Sequence, residues 1–118
     1  MSGGTIAIVD DNNEVLNSLK LMLETYGFNV KTYSLPAAFL ESSVVRPACL
    51  IVDHNMPSMT GIQLVVQLRK EGNWVPVLLT SGFVETGFAE VAASLGIECV
   101  LQKPVKLGDL LKFIRKHC

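Results

Sequence analysis

Residues 49–57 read Cys-Leu-Ile-Val-Asp-His-Asn-Met-Pro, and this stretch decides the fold. An apolar run ends in one carboxylate, Asp53, and Pro57 and Gly61 then mark a turn. A short apolar run bounded by turn residues is typical of a buried strand, most often in a parallel sheet. Side chains at the carboxyl end of such a strand face the crevice where α/β proteins bind ligands. Asp53 is therefore a nucleophile, a metal ligand or a turn residue, and the other strands decide between these.

Length and composition predict one domain over residues 1–118. Hydrophobic residues make up 49% of the chain and charged residues 18%, which is ordinary for a compact domain with a sizeable core. The net charge of −1 argues against direct nucleic-acid binding, because phosphate recognition needs a basic surface. No apolar run approaches the roughly 20 residues that span a bilayer, and no signal-peptide pattern is present. We expect a cytoplasmic protein without a membrane segment.

The cysteine content does not indicate a disulfide framework. Cys49, Cys99 and Cys118 are odd in number, and the first two lie in or beside predicted strands that are not neighbours in the expected sheet. A bridge between Cys49 and Cys99 is therefore disfavoured. We expect small buried residues in a reducing compartment, with Cys118 exposed and open to crosslinking in air.

The apolar pattern predicts five strands that alternate with five helices. The predicted strands are residues 5–9, 29–33, 49–53, 75–79 and 97–101. Helices are expected from Asn12 or Asn13 to Gly27, from Pro36, after Gly61, and at 85–95 and 107–115. This alternation indicates a parallel sheet with helices on both faces, and right-handed crossovers favour the strand order 2-1-3-4-5. The expected fold class is α/β, doubly wound and flavodoxin-like, with Glu98 pointing outward from the edge strand.

Complementary polar groups follow four of these strands. Asp10 and Asp11 follow the first strand, Asp53 ends the third, Thr80 follows the fourth and Lys103 the fifth. Because these strands are neighbours in the expected order, the side chains should converge at one edge of the sheet. Crowded carboxylates repel one another unless a cation lies among them, and hard oxygen ligands suit Mg²⁺. Lys103 and Thr80 would then neutralise and hold a phosphoryl group on Asp53.

Each residue of this set also has an ordinary structural explanation. Asp10 and Asp11 are equally explained as helix-capping residues that compensate the helix dipole. Asp53 alone suits a turn, and a lone Thr80 or Lys103 after a strand carries little information. Only the joint pattern at four adjacent strand ends favours phosphoryl chemistry.

Over essentially its whole length the sequence resembles a receiver domain of the two-component response regulators, the CheY-like superfamily. Four motifs carry the resemblance: residues 9–11 (Val-Asp-Asp), 52–57 with Gly61, 79–82 (Leu-Thr-Ser-Gly) and 102–104 (Gln-Lys-Pro). The resemblance implies that Asp53 is the phosphoacceptor and that Mg²⁺ is bound by Asp10, Asp11, Asp53 and the backbone carbonyl of Asn55. It further implies that Thr80 follows the phosphoryl group, that Lys103 is its counter-charge, and that the Lys103–Pro104 bond is cis.

The function implied by this resemblance is signalling. A histidine kinase or phosphotransfer protein would donate a phosphoryl group to Asp53. Phosphorylation would then change a surface around the fourth helix, fifth strand and last helix, which binds a downstream protein target or pairs two copies as a homodimer. The chain would be no metabolic enzyme, because it would catalyse only its own phosphorylation and slow dephosphorylation. It would act as a stand-alone regulator or as a receiver cut from a longer protein.

Some positions depart from the family pattern or need interpretation. Val100 stands where many receivers have an aromatic residue whose rotation reports phosphorylation. A valine has no ring to rotate, so an aromatic switch coupled to Thr80 is not expected, and small shifts of the fourth helix and fifth strand are the alternative route for the signal. His54 should point away from Asp53, into packing or to the surface, because side chains alternate along a strand. His117 is expected to be a solvated helix-end residue. Asn55 and Gly82 stand where the family often tunes dephosphorylation, and neither is a strong base.

Three other functions compete with this interpretation. A phosphatase of the haloacid dehalogenase type needs a second acid two residues after the nucleophile, where this chain has Asn55. A flavodoxin-like flavin binder cradles phosphate after the first strand, where Asp10 and Asp11 would repel it. A receiver-fold scaffold that binds a partner without phosphorylation is the remaining alternative, and the complete set of site residues argues against it.

Overall fold

The computed structural model describes residues 4–42, 46–84 and 86–118, and five strands alternate with five helices in these ranges. The strands are β1 Ile6–Val9, β2 Val30–Tyr33, β3 Cys49–Asp53, β4 Val77–Ser81 and β5 Cys99–Gln102. The helices are α1 Asn13–Thr25, α2 Pro36–Glu41, α3 Gly61–Lys70, α4 Phe88–Ser94 and α5 Leu107–His117. None of the helices in these ranges is both long enough and apolar enough to cross a membrane.

All strand pairs are parallel, and the strand order is β2-β1-β3-β4-β5. The predicted α/β fold, its doubly wound order and its edge strand are therefore confirmed. Strand β3 is buried along its whole length, as the apolar run before Asp53 predicts. The register pairs Asp53 with Thr80 on β4, so the carboxyl ends of these two strands lie side by side.

The core has two layers, one on each face of the sheet. Alternate residues of β3 belong to opposite layers: Leu50 and Val52 face one side, and Cys49 and Ile51 face the other. The first layer is covered by α2, α3 and α4 and the second by α1 and α5. Because both faces bury Leu, Ile and Val side chains, each contributing about 1.5–3 kcal/mol, the central strands are fixed rigidly. That rigidity positions the groups at the strand ends.

Two helix starts fix the loops at the carboxyl edge. Asn12 caps α1, as predicted, by accepting hydrogen bonds from the N–H groups of Glu14 and Val15. Thr60 and Gln63 form a capping box at α3, so Gly61 begins this helix rather than preceding it. A Cβ atom on Gly61 would lie 2.6 Å from Leu79 Cδ1 and 2.8 Å from the Asp53 carbonyl oxygen. Only glycine lets α3 approach the end of β3 this closely.

Several element boundaries differ from the predicted ones. Strand β4 begins at Val77 rather than 75, because Pro76 lacks an N–H and the Val75 N–H donates to the Asn73 side chain. Helix α4 begins at Phe88, after Gly87 in a left-handed conformation with φ of 85°. The predicted start of this helix at residue 85 lies outside the described residues. Strand β5 begins at Cys99, two residues later than predicted, and α5 continues to His117.

The end of α5 is more closely packed than the sequence predicts. The His117 side chain is only 16% exposed, and its Nε2 lies 2.6 Å from Glu98 Oε2. The expectation of a solvated histidine is therefore wrong, because α5 continues far enough to bring its last turn against the start of β5. Cys118 is likewise half-buried rather than exposed.

Candidate functional site

Three carboxylates meet at the carboxyl edge of the sheet. Asp10 follows β1 and Asp53 ends β3, and both are buried, with 4% and 3% of their surface exposed. Asp11 is exposed beside them. Each of the three offers an oxygen within 4.8 Å of the others. The convergence expected from the strand order is therefore present in the fold.

Lys103 reaches into this cluster from the end of β5. Its Nζ lies 3.2 Å from Asp53 Oδ1 and 3.7 Å from Asp10 Oδ2. The Lys103 N–H donates to the Ser81 carbonyl oxygen, which ties the loop after β5 to β4. The Lys103–Pro104 peptide bond is cis, as the resemblance implies. One cation thus faces two buried carboxylates, which leaves negative charge in excess.

Thr80 completes the same edge. It is 7% exposed, and its backbone carbonyl accepts a hydrogen bond from the His54 N–H at 2.8 Å. Together with Asp10, Asp53 and Lys103 it lines a cleft of about 530 Å³, whose remaining walls are mostly apolar residues of β1, β3, α1 and the segment after Lys103. Thr80 and Lys103 therefore bring a hydroxyl donor and a cation to the same cleft as the Asp53 carboxylate.

The electrostatics of the cluster favour a bound cation. Burial raises the pKa of Asp10 above its ordinary value, and the charges of Asp53 and Asp11 raise it further. The hydrogen bond from the Asn12 N–H and the charge of Lys103 lower the same pKa, but the net direction is upward. A proton or a metal ion on the carboxylates would relieve this repulsion.

The donor set fits Mg²⁺. Carboxylate oxygens are the hard ligands that Mg²⁺ prefers, and the exposed Asp11 leaves one side open to the waters that this ion retains. Asn55 contacts the cluster directly, since its N–H donates a hydrogen bond to Asp53 Oδ1 at 3.3 Å. Its side-chain oxygen accepts a hydrogen bond from the Gly82 N–H at 3.1 Å, which joins the loop after β3 to the loop after β4. Metal binding by the Asn55 carbonyl stays a prediction.

His54 packs against the starts of α3 and α4. Its Nδ1 accepts a hydrogen bond from the Ile62 N–H at 3.4 Å, at the start of α3. Its ring meets the ring of Phe88, the first residue of α4, edge to face with centroids 5.0 Å apart. Of the two environments predicted for His54, packing or the surface, the structure shows packing. Its partner was missed because a contact between a loop and a distant helix start leaves no periodic signal in the sequence. Val100 is half-buried and packs against the core on β5.

Comparisons with known proteins agree with this geometry. The family model for the response regulator receiver domain matches residues 6–115. The response regulator protein TmoT of Ectopseudomonas mendocina is 35% identical over 111 residues, which cover 93% of this chain and 50% of the relative. The transcriptional regulatory protein FixJ of Azorhizobium caulinodans is 29% identical over 111 residues, covering 93% of this chain and 53% of that protein.

A solved structure matches over nearly the whole chain. The crystal structure of FixJ-N superposes with a TM-score of 0.88 at 30% identity, covering 99% of this chain and 94% of that one. By contrast, the chain spans only about half the length of the curated relatives it matches, with 50% of TmoT covered. The similarity therefore concerns one domain of those proteins.

Proposed function

The chain belongs to the family of response regulator receiver domains, and we propose that its Asp53 accepts a phosphoryl group from a phosphohistidine on a partner protein. One observation carries the proposal: Lys103 Nζ lies 3.2 Å from Asp53 Oδ1 and 3.7 Å from Asp10 Oδ2, inside a cluster that also includes Asp11. A turn residue or a helix cap would need neither the cation nor the second buried acid. The arrangement suits a carboxylate that gains three further phosphoryl oxygens.

The transfer is an in-line displacement at phosphorus. An Asp53 carboxylate oxygen forms the new O–P bond as the N–P bond to the donor histidine breaks, and the ring nitrogen keeps the electron pair. Lys103 stays beside the new acyl phosphate and balances its charge. The Thr80 hydroxyl, at the neighbouring strand end, donates a hydrogen bond to a phosphoryl oxygen. When bound by Asp10, Asp11, Asp53 and the Asn55 carbonyl, Mg²⁺ supplies the further positive charge that the phosphoryl oxygens require.

The proposed product is stored rather than rapidly hydrolysed. A phosphatase with a similar nucleophile needs a second acid two residues later, and this chain has Asn55 there. The Asn55 side-chain oxygen is already bonded to the Gly82 N–H at 3.1 Å. No group at this position can therefore take a proton from an attacking water. We propose that the chain catalyses only its own phosphorylation and slow dephosphorylation, and is otherwise not an enzyme.

The cleft beside Asp53 supports docking of a protein donor. Val15 and Leu19 of α1 and Val105 after the cis bond form an apolar wall next to the polar floor of Asp10, Asp53, Thr80 and Lys103. Apolar surface beside a reactive group is typical of a site that must exclude water from a partner's side chain. A histidine kinase or a phosphotransfer protein is the proposed partner.

The signal would leave the site through α4. Val100 has no ring to rotate, whereas His54, the residue after Asp53, contacts Phe88 at the start of α4 with ring centroids 5.0 Å apart. A shift of the loop after β3 would therefore move α4 directly. Phe83 and Val91, before and within α4, are 67% and 47% exposed and offer apolar surface to a downstream protein target. Pairing as a homodimer through α4, β5 and α5, the lack of nucleic-acid contact and a cytoplasmic location stay predictions.

The α4 route can be tested with Phe88→Leu. We expect Asp53 to be phosphorylated as in the wild type. The ratio of the amide exchange rates of α4 with and without phosphorylation should be about tenfold smaller than in the wild type, because the edge-to-face contact is lost. Phe113→Leu, in α5, is the control and should leave the response of α4 intact. An α4 response that is the same in both variants would contradict this route.

The phosphoacceptor assignment is tested by incubating the chain with acetyl phosphate and Mg²⁺ and measuring its intact mass. We expect one added phosphoryl group, about 80 Da, and none in Asp53→Asn, whose folding is checked by circular dichroism. Asp11→Asn should be phosphorylated more slowly rather than not at all, because one of the three carboxylate charges that would hold Mg²⁺ is lost. Folded protein that gains no mass, with acetyl phosphate or with a panel of histidine kinases, would favour the scaffold function instead.

A further inference from the structure

Two thiols meet at the edge of the sheet opposite to the phosphoacceptor. Cys49 is the first residue of β3 and is completely buried, and Cys118 follows the last residue of α5. Their Sγ atoms lie 3.7 Å apart although 69 positions separate them in the sequence. We propose that Cys49 and Cys118 are a redox-sensitive dithiol that forms an intramolecular disulfide by exchange with low-molecular-weight disulfides. This site is independent of the phosphoryl chemistry.

The geometry allows this bond with a small movement. A disulfide requires the sulfur atoms to approach to about 2.05 Å, which is within reach of side-chain rotation and a slight shift of one backbone. Cys118 lies beyond the last helical residue, and the hydrogen bond from its N–H to the Ile114 carbonyl oxygen ties it to the final turn. A residue at the frayed end of a helix can shift without disturbing the strands.

The third cysteine, Cys99, cannot form a disulfide with Cys49. Cys99 lies on β5, and β4 separates this strand from β3 in the sheet. Two strand spacings amount to about 10 Å, whereas the Cα atoms of a disulfide are at most about 7 Å apart. Cys99 therefore provides a matched internal control, since it is also half-buried and packs against the same core layer as Cys49 and Cys118.

The two thiols have different roles. Burial, and then the neighbouring Cys118 thiol, raises the pKa of Cys49 far above its ordinary value, so Cys49 reacts poorly with reagents in solution. Cys118 is half-buried at the end of α5 and is the thiol that a small disulfide can reach. Cys118 should therefore react first, and Cys49 should resolve the product from within the core.

The exchange is balanced in two steps. The Cys118 thiolate attacks one sulfur of a small disulfide RSSR, its new S–S bond replaces the old one, and RS⁻ leaves and takes up the proton from Cys118. Cys49 then loses its proton and attacks the Cys118 sulfur of the mixed disulfide, and the second RS⁻ leaves and takes up that proton. The two protein thiols are oxidised to one disulfide and RSSR is reduced to two RSH. The reverse reaction with excess thiol restores the starting state.

Oxidation would fasten α5 to the central strand. The final turn of α5 already pairs with the start of β5, through Lys116 and His117 on Glu98. A covalent bond to β3 would restrict this turn further, and α5 is part of the surface through which the proposed switch acts. The expected physical signs are slower amide exchange at residues 113–117 and a thermal midpoint raised by on the order of 10 °C.

The test treats the fully reduced chain with glutathione disulfide at neutral pH, followed by acid quenching, unfolding and alkylation with N-ethylmaleimide. We expect oxidised protein that is monomeric, about 2 Da lighter and labelled once, at Cys99, instead of three times. Peptide mapping should recover residues 49 and 118 in one linked species, and dithiothreitol should restore triple labelling. Cys99→Ala should form the same bridge and keep no thiol for labelling.

Two variants distinguish a redox-sensitive dithiol from cysteines that only pack in the core. Cys118→Ser should leave Cys49 unmodified and abolish the shift in thermal midpoint, and it alters no fully buried residue. Cys49→Ala should stop at a persistent glutathione adduct on Cys118. A chain that keeps three alkylatable thiols, or that yields only a Cys118-linked dimer or a lasting Cys118 adduct in the wild type, would overturn the proposal.

Discussion

Charged side chains at the two edges of the sheet lie in opposite electrostatic environments: negative charge is in excess at one edge and is paired with cations at the other. At the carboxyl edge, Asp10 and Asp53 are buried with one lysine between them, and burial raises the pKa of Asp10. At the amino edge, Glu98 is matched by His117 at 2.6 Å and by Lys116 at 3.3 Å, and the hydrogen bond from His117 lowers the pKa of Glu98. Burial with excess negative charge costs stability, whereas matched pairing does not. The fold therefore concentrates electrostatic strain at the one edge where we propose that phosphoryl transfer occurs.

The largest expected effect comes from the packing beneath the carboxyl edge. In Gly61→Ala the new Cβ would lie 2.6 Å from Leu79 Cδ1 and 2.9 Å from His54 Cα, and the backbone of β3 cannot yield. We expect the free energy of unfolding in urea to fall by about 3 kcal/mol. Gly108→Ala in α5 is the control, because nothing lies within 4 Å of its Cβ position. That variant should gain about 0.7 kcal/mol from reduced backbone freedom, and losses of equal size in both variants would contradict the packing argument.

Removing one charge at the carboxyl edge should stabilise the protein. Because the folded pKa of Asp10 is raised above its unfolded value, wild-type stability falls as pH rises between these two values. In Asp10→Asn this loss disappears, so we expect a gain of about 1 kcal/mol near pH 7 without Mg²⁺ and none near pH 3. The same variant should lose most of the stabilisation that added Mg²⁺ gives the wild type. Urea titrations at both pH values, with and without Mg²⁺, measure this, and a destabilised variant at neutral pH would refute it.

Removing one negative charge at the amino edge should destabilise the protein, and by less than Asp10→Asn stabilises it. The lowered pKa of Glu98 means that its contribution to stability is present above the unfolded pKa and is lost as pH falls through the folded one. Because the side chain is 35% exposed, solvent screens the pairs, and we expect Glu98→Gln to cost about 0.5 kcal/mol near neutral pH. Thermal midpoints should converge with the wild type in acid. A gain in stability near neutral pH would remove the contrast between the edges.

The carboxyl edge was predictable from the sequence, whereas the amino edge was not. Asp10, Asp53, Thr80 and Lys103 follow short apolar runs that are typical of strands, and the strand order brings the ends of these runs together. The contact between Cys49 and Cys118 and the pairing of His117 depend on how far α5 continues and how it packs. Local sequence patterns do not fix the last residue of α5, because the basic residues of its final turn mark a helix end only to within about one or two residues.

Arg69 is a second feature that the sequence hides. It reads as a basic residue at the end of α3, yet it is 9% exposed and donates to the carbonyl oxygens of Leu95, Asn73 and Val75 at 2.7, 3.0 and 2.9 Å. Its guanidinium also lies 4.9 Å from the centre of the Trp74 ring. Burial lowers the pKa of this side chain. A buried arginine that satisfies loop carbonyls cannot be told from a surface arginine until the loops are placed.

The proposed chemistry at the carboxyl edge is tested most directly by locating the phosphoryl group. The intact chain is incubated with acetyl phosphate and Mg²⁺, quenched in acid, digested and analysed by tandem mass spectrometry. The account predicts a gain of about 80 Da confined to the peptide that contains Asp53, absent when Mg²⁺ is chelated and absent from the peptide that contains Asp10 and Asp11. A phosphoryl group on Asp11, or none on folded protein, would contradict it.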